Sequence, residues 1–264
     1  MPNTVLYDDG THKNILLEDF GLGGLAVQSN QHIIAHGGAG MLLDPGGHKI
    51  YSKVLAATFA VLRGGNLEYI FLSHQDPDIV AAINGWLMTT DAEAYISKLW
   101  LRFVPHFGLD HLVADRLQPI PDEGMAVNLG GASLTILPAH FLHSVGNFQV
   151  YDPIAKILYS GDLGASLGAE YTFVSDFDDH VQYMEGFHRR YMASNAVMRA
   201  WAAMVRNLDI EIIAPQHGAL FKGREMVSRF IDWCAGLECG IDQVIGLFRL
   251  PQPTPPAPGG GAAA

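Results

Sequence analysis

Apolar positions in this chain come in short runs, each closed by glycine or by a polar residue. In the first half, residues 25–28, 32–36 and 40–44 read as strands, the last ending in Pro45-Gly46-Gly47. Residues 50–63 carry a helical pattern that stops at Gly64-Gly65, as helices often do. The apolar run Tyr69-Ile70-Phe71-Leu72 then predicts a strand, and residues 77–87 a helix. Next come a strand at 94–96, a helix at 98–107, and strands at 125–127, 132–137, 148–151 and 157–160. A long helical region at 181–207, a strand at 210–214 and a helix at 223–233 complete the pattern. Residues 1–250 thus form one α/β domain, and the Pro/Gly/Ala-rich segment 251–264 reads as a flexible tail.

Four of these strands end in the same grammar, an apolar run followed by a residue that can bind a metal. They lead to Ser73-His74-Gln75-Asp76-Pro77-Asp78, Leu142-His143-Ser144, Ser160-Gly161-Asp162 and Gln216-His217-Gly218. Strand ends hold their side chains rigidly, which a metal site requires. His74, Asp76, Asp78, His143, Asp162 and His217 offer three imidazoles and three carboxylates without a thiolate. Such a donor set favours iron or manganese over zinc. Asp76 before Pro77 also suits a helix N-cap, and the two roles are compatible.

The order of these motifs resembles the metallo-β-lactamase superfamily, whose first motif reads H-x-H-x-D-H after a strand. That resemblance implies an αββα sandwich with a two-metal site at one edge of its sheets. Within the superfamily the match is similar to the flavodiiron proteins, whose first motif carries a carboxylate where the hydrolases have histidine; Asp76 fills that place. The strings Phe141-Leu142-His143, Ile213-Ala214-Pro215-Gln216-His217-Gly218 and Arg189-Arg190-Tyr191-Met192-Ala193 are flavodiiron-like as well. The resemblance assigns His74, Asp76 and His143 to one ion, Asp78 and His217 to the other, and Asp162 to the bridge. It implies two Fe ions, with Mn or Zn as alternatives. It departs from the family at Ile79, which stands where a histidine would close the first motif, and at Asp76, one methylene shorter than glutamate.

Nothing in the sequence resembles an FMN-binding loop, so no FMN is expected, and stand-alone oxygen-binding di-iron proteins are the nearer likeness. The expected ligand is dioxygen, with NO as an alternative. An external electron donor or signalling partner would complete the function, and a homodimer is allowed. Two rivals stay open: a binuclear hydrolase of a thioester, lactone or phosphodiester, and a metal-bound interaction module.

Charge and composition narrow the partners. A net charge of −11 disfavours nucleic acid and anionic membrane. No signal peptide or membrane-length apolar run is visible, so the expected setting is cytoplasmic. Cys234 and Cys239 read as buried thiols. His140 reads as structural, with a lesser case for a substitute ligand, and His32, His36 and His48 carry no assignment. Asp176, Asp178, Asp179 and His180 read as a solvated loop, and Tyr191 as a core aromatic.

Overall fold

A computed structural model describes residues 3–17, 19–21 and 27–251. The tail segment from 252 onward, and Leu25 and Ala26 of the first expected strand, lie outside the described residues. Strands β1 (Thr4–Asp8), β2 (His12–Leu16), β3 (His32–His36) and β4 (Ala39–Leu43) form an antiparallel meander. Helix α1 (Tyr51–Leu62) crosses to β5 (Asn66–Phe71), which lies parallel to β4. Helices α2 (Pro77–Val80) and α3 (Ile83–Thr89) lead to β6 (Glu93–Ser97), and β7 (Leu117–Ile120) completes a seven-stranded sheet in sequential order.

The second sheet has six strands in the order β13-β12-β11-β10-β9-β8. Its members are β8 (Met125–Leu129), β9 (Ala132–Pro138), β10 (Phe148–Asp152), β11 (Ile157–Gly161), β12 (Ile212–Pro215) and β13 (Phe221–Lys222). Helices α4 (Phe177–Tyr191) and α5 (Asn195–Val205) connect β11 to its parallel neighbour β12, α6 (Arg224–Gly236) follows β13, and α7 (Ile241–Val244) ends the series.

Three apolar layers follow from this order. Ile34, Met41, Phe71, Phe148, Val150 and Ile157 fill the space between the sheets. Ile33, Leu42, Val54, Ile70 and Trp86 pack α1 to α3 on the first sheet. Leu158, Met184, Trp201, Ile213 and Phe230 pack α4 to α6 on the second. Adjacent residues such as Ile33 and Ile34 enter different layers because strand side chains alternate between faces. The result is the expected αββα sandwich.

Two expected helices take other forms. The long helix at 181–207 is two, because Met192 is extended and Ser194 starts α5 by accepting the Val197 amide at 3.4 Å. Residues 98–107 make turns and one short 3-10 segment, Val104–Phe107, since Pro105 cannot donate a helical bond and disfavours helical geometry before it. The stretch at 77–87 likewise divides into α2 and α3. Asp176, Asp178 and Asp179 are no loop: Asp176 caps α4, accepting the amides of Asp178 and Asp179.

A polar group crosses the inter-sheet layer. Asp152 is fully buried and accepts from His12 Nε2 at 2.6 Å and from Asn14 Nδ2 at 2.7 Å. Burial opposes its charge, yet the His12 and Asn14 contacts hold its carboxyl below the usual range. Asp152→Ala takes the acceptor from His12 Nε2 and leaves Asn14 Nδ2 only the Tyr159 hydroxyl at 2.9 Å, and is expected to cost about 3–5 kcal/mol in urea unfolding at pH 7. The depressed folded value means the stabilisation is present above roughly pH 4 and lost as pH falls further. The difference between variant and wild type should therefore narrow in acid; a gap that widens there would contradict this account.

Candidate metal centre

The four strand-end segments meet at one edge of the sandwich. Backbone bonds join the two sheets there, with the Phe148 amide donating to Ser73 O at 3.0 Å. Within the second sheet, the Gln216 amide donates to Gly161 O at 2.8 Å. Asn30 clasps the last segment, its side chain donating to Pro215 O and Gly218 O, each at 2.9 Å. These ties fix four chain segments that lie far apart in sequence.

All six expected residues arrive at this edge, in two groups. His74 Nε2, the Asp76 carboxylate and His143 Nε2 form the first: Asp76 Oδ2 lies 3.6 Å from His74 and 3.7 Å from His143. Ligand atoms of these three residues all fall within 4.8 Å of one another. The second group is Asp78 and His217, with Oδ2 and Nε2 separated by 3.4 Å. Asp162 stands between them. Its Oδ2 lies 2.8 Å from His143 Nε2 and 3.8 Å from His74 Nε2, whereas its Oδ1 faces His217 Nε2 at 3.6 Å.

Hydrogen bonds behind the imidazoles turn Nε2 toward the centre. His217 Nδ1 donates to Gln28 O at 2.5 Å, and His74 Nδ1 lies 2.9 Å from Ser73 Oγ. Asp44 in turn accepts the Ser73 amide at 2.8 Å, and burial pushes its carboxyl up to about 6. Ser144 Oγ donates to Gln75 Oε1 at 2.6 Å, linking the His143 loop to the His74 segment. Partners of this kind set the tautomer and orientation of metal-binding imidazoles.

Does a metal fit? His74 Nε2 and Asp162 Oδ1 are buried without a hydrogen-bond partner, and both face the centre. Burial disfavours charge on His217, but Asp78 and Asp162 outweigh it and raise the imidazole to about 9. His74 is raised in the same sense, against burial, by Asp76 and Asp162. Burial also opposes the Asp162 charge, and His143, His74 and His217 hold that carboxyl well below the usual carboxylate range. Carboxylates balanced here only by protonated imidazoles suit a divalent cation, which takes the place of those protons on binding. The residues fit a first-row metal pair with oxygen and nitrogen donors.

Exposure is uneven. The side chains of Asp76 and Asp78 are each 35% exposed, against 6% for Asp162, so the pair opens on the Asp76–Asp78 side. Asp76 occupies the N-cap position of α2, with Pro77 following, yet its side chain makes no capping bond: Oδ1 accepts from Gln75 Nε2 at 3.0 Å and Oδ2 faces the centre. Ile79 is fully buried in the outer core of the first sheet with Val54 and Trp86. His140 binds Asp122 O at 2.8 Å, the structural role expected of it. Tyr191 is not core: it is 57% exposed, stacks on Phe187 at 4.8 Å and meets the His143 ring edge-on at 5.7 Å. Together with Phe187 it makes an apolar wall beside His143. Cys234 and Cys239 are buried, free thiols.

The fold is a metallo-β-lactamase-like sandwich, and its edge gathers the six donors as a candidate two-metal centre. The model of the ODP family beta lactamase matches residues 27–218, and the chain belongs to that family. Among solved structures, the peroxy diiron species of chemotaxis sensor ODP is 43% identical, with a TM-score of 0.83 over 94% of this chain and 100% of that one. The apo state of chemotaxis sensor ODP from T. denticola is also 43% identical, with a TM-score of 0.82 over 93% and 98% of the two chains. A flavo di-iron protein of Thermotoga maritima shares the fold at 18% identity and a TM-score of 0.73, over 89% of this chain and 61% of that one. An uncharacterized protein of Methanocaldococcus jannaschii is 22% identical over 200 residues, 73% of this chain; the chain spans half the length of that relative.

Proposed function

We propose that this protein is a non-haem di-iron protein that binds dioxygen as a sensor or carrier, or reduces it with electrons from a separate partner. The observation that carries the reading is Asp162, whose two oxygens face two separate imidazole–carboxylate groups. In it, His74, Asp76 and His143 hold one iron, Asp78 and His217 the other, and Asp162 is shared. Bound as a ferrous pair, the metal would supply the electrons that dioxygen takes up.

The chain's own residues do the rest. The bonds from His217 to Gln28 O and between Ser73 and His74 keep the imidazole rings aimed inward. Asp76 and Asp78 flank the side open to a small ligand, and Phe187 with Tyr191 shields His143 from water. A carboxylate at position 76 supports iron over the histidine-rich shell of a zinc hydrolase. The proposal extends to NO as an alternative ligand, an external electron donor or signalling partner, a homodimer and a cytoplasmic setting. Among the described residues, no helix is long and apolar enough to cross a membrane.

Metal analysis of the purified protein, paired with absorption spectra before and after reduction and exposure to air, tests the reading. It predicts about two irons per chain and a visible band that changes on oxygenation. A colourless protein holding zinc would defeat it and promote a binuclear hydrolase.

A further inference from the structure

The turn that carries Asp162 is tied to α4 by a buried histidine that touches no expected ligand. His188 is fully buried. Its Nδ1 lies 2.7 Å from Met184 O one helical turn back, and its Nε2 accepts the Gly164 amide at 2.8 Å. These partners specify one neutral tautomer, with the proton on Nδ1. Burial is the main reason the imidazole is depressed, to about 4, which keeps Nε2 an acceptor at neutral pH.

The turn needs such a tie. Gly161 and Gly164 both have positive φ, at +57° and +100°, so the segment between them has the backbone freedom of glycine at each end. A Cβ on Gly164 would meet Phe221, Phe230 and Pro215 at 3.2–3.4 Å, so the chain presses closely on the core here. Inside the turn, the Leu163 amide donates to Ser160 O at 3.2 Å and Ser160 Oγ to Leu163 O at 2.6 Å. The His188 bond ties it instead to another element, 24 residues away in sequence.

We propose that His188 is a positioning residue for the bridging carboxylate, setting through the Gly164 amide where Asp162 presents its two oxygens. This rests on the reading of Asp162 as the shared ligand. A hydrogen-bonded partner behind a ligand commonly governs metal affinity by about 10–100-fold.

Two substitutions separate positioning from mere packing. In His188→Asn the shorter amide can still reach Met184 O but leaves Gly164 N–H without its acceptor. In His188→Gln the longer amide restores an acceptor near Nε2. Anaerobic ferrous titration of the full chain, with circular dichroism as a fold control, should show His188→Asn losing about 10–100-fold in iron affinity. Its oxygenated absorption band should change as well, while His188→Gln stays within about threefold of wild type. Wild-type affinity and spectrum in a folded His188→Asn would overturn the proposal, as would equal losses in both variants.

Should His188→Asn fail to fold, amide exchange in the wild-type apo protein decides. A protected Gly164 amide with a Gln variant near wild type supports the positioning role, and rapid exchange at Gly164 overturns it. Retention of both irons by Asp162→Asn would instead remove the ligand reading and the proposal with it.

Discussion

Asp162→Asn is expected to empty both halves of the centre at once. Asparagine keeps the shape of the side chain and can still accept from His143 Nε2, now 2.8 Å from Asp162 Oδ2. It loses the negative charge and one of the two oxygens that face the separate groups. Each iron would then keep only its terminal ligands. The loss in affinity should exceed the roughly 10–100-fold that follows removal of an outer hydrogen-bond partner. Metal analysis after anaerobic reconstitution should find iron at the level of a metal-free control, with the far-UV spectrum of wild type. Retention of one full equivalent would show that the carboxylate serves one ion alone.

The candidate centre was legible in the sequence because each of its strands announces itself. Tyr69-Ile70-Phe71-Leu72 before His74 and Ile213-Ala214-Pro215 before His217 are apolar runs that two buried faces require, and the ligand-type residue follows where the strand leaves the core. β1 and β2 were not legible, for the opposite reason. In β2 the residues facing the inter-sheet layer include His12 and Asn14, so the expected alternation of apolar and polar positions is inverted. Those side chains are tolerated there because distant residues satisfy them, above all Asp152, 138 to 140 residues away, which accepts from both.

Residues behind the candidate ligands escape sequence reading in the same way. The partner of His217 is the main-chain oxygen of Gln28, 189 residues off, and any residue type supplies a main-chain oxygen. His188 sits in a helical pattern and bonds only to backbone atoms, so no spacing marks it. Tyr191 follows the helical spacing of a core residue, but α4 ends there beside His143 and leaves the ring at the surface. Ile79 was legible as a missing ligand but not in its place, which is the apolar layer under α2 and α3.

Gly218→Ala is expected to strike the second iron and the fold together. Gly218 has φ +77°, and a Cβ there would lie 2.1 Å from Ser166 Oγ and 2.2 Å from the main-chain oxygen of Ser166. The backbone contact leaves little room to yield, because the Ser166 amide is bonded to His217 O and Ser166 Oγ accepts the Ala219 amide. Left-handed geometry and overlap together should cost about 2–6 kcal/mol in urea unfolding. Gly168→Ala is the matched control: its φ is +82° and nothing lies within 4 Å of its Cβ position, so it bears the backbone strain without the overlap. Relief of the overlap must move His217, which precedes Gly218 directly, whereas His74, Asp76 and His143 sit on other segments. The Gly218 variant should therefore retain about one iron where wild type holds about two. Equal stability of the two variants, with full iron in both, would show that the His217 segment is less constrained than its contacts require.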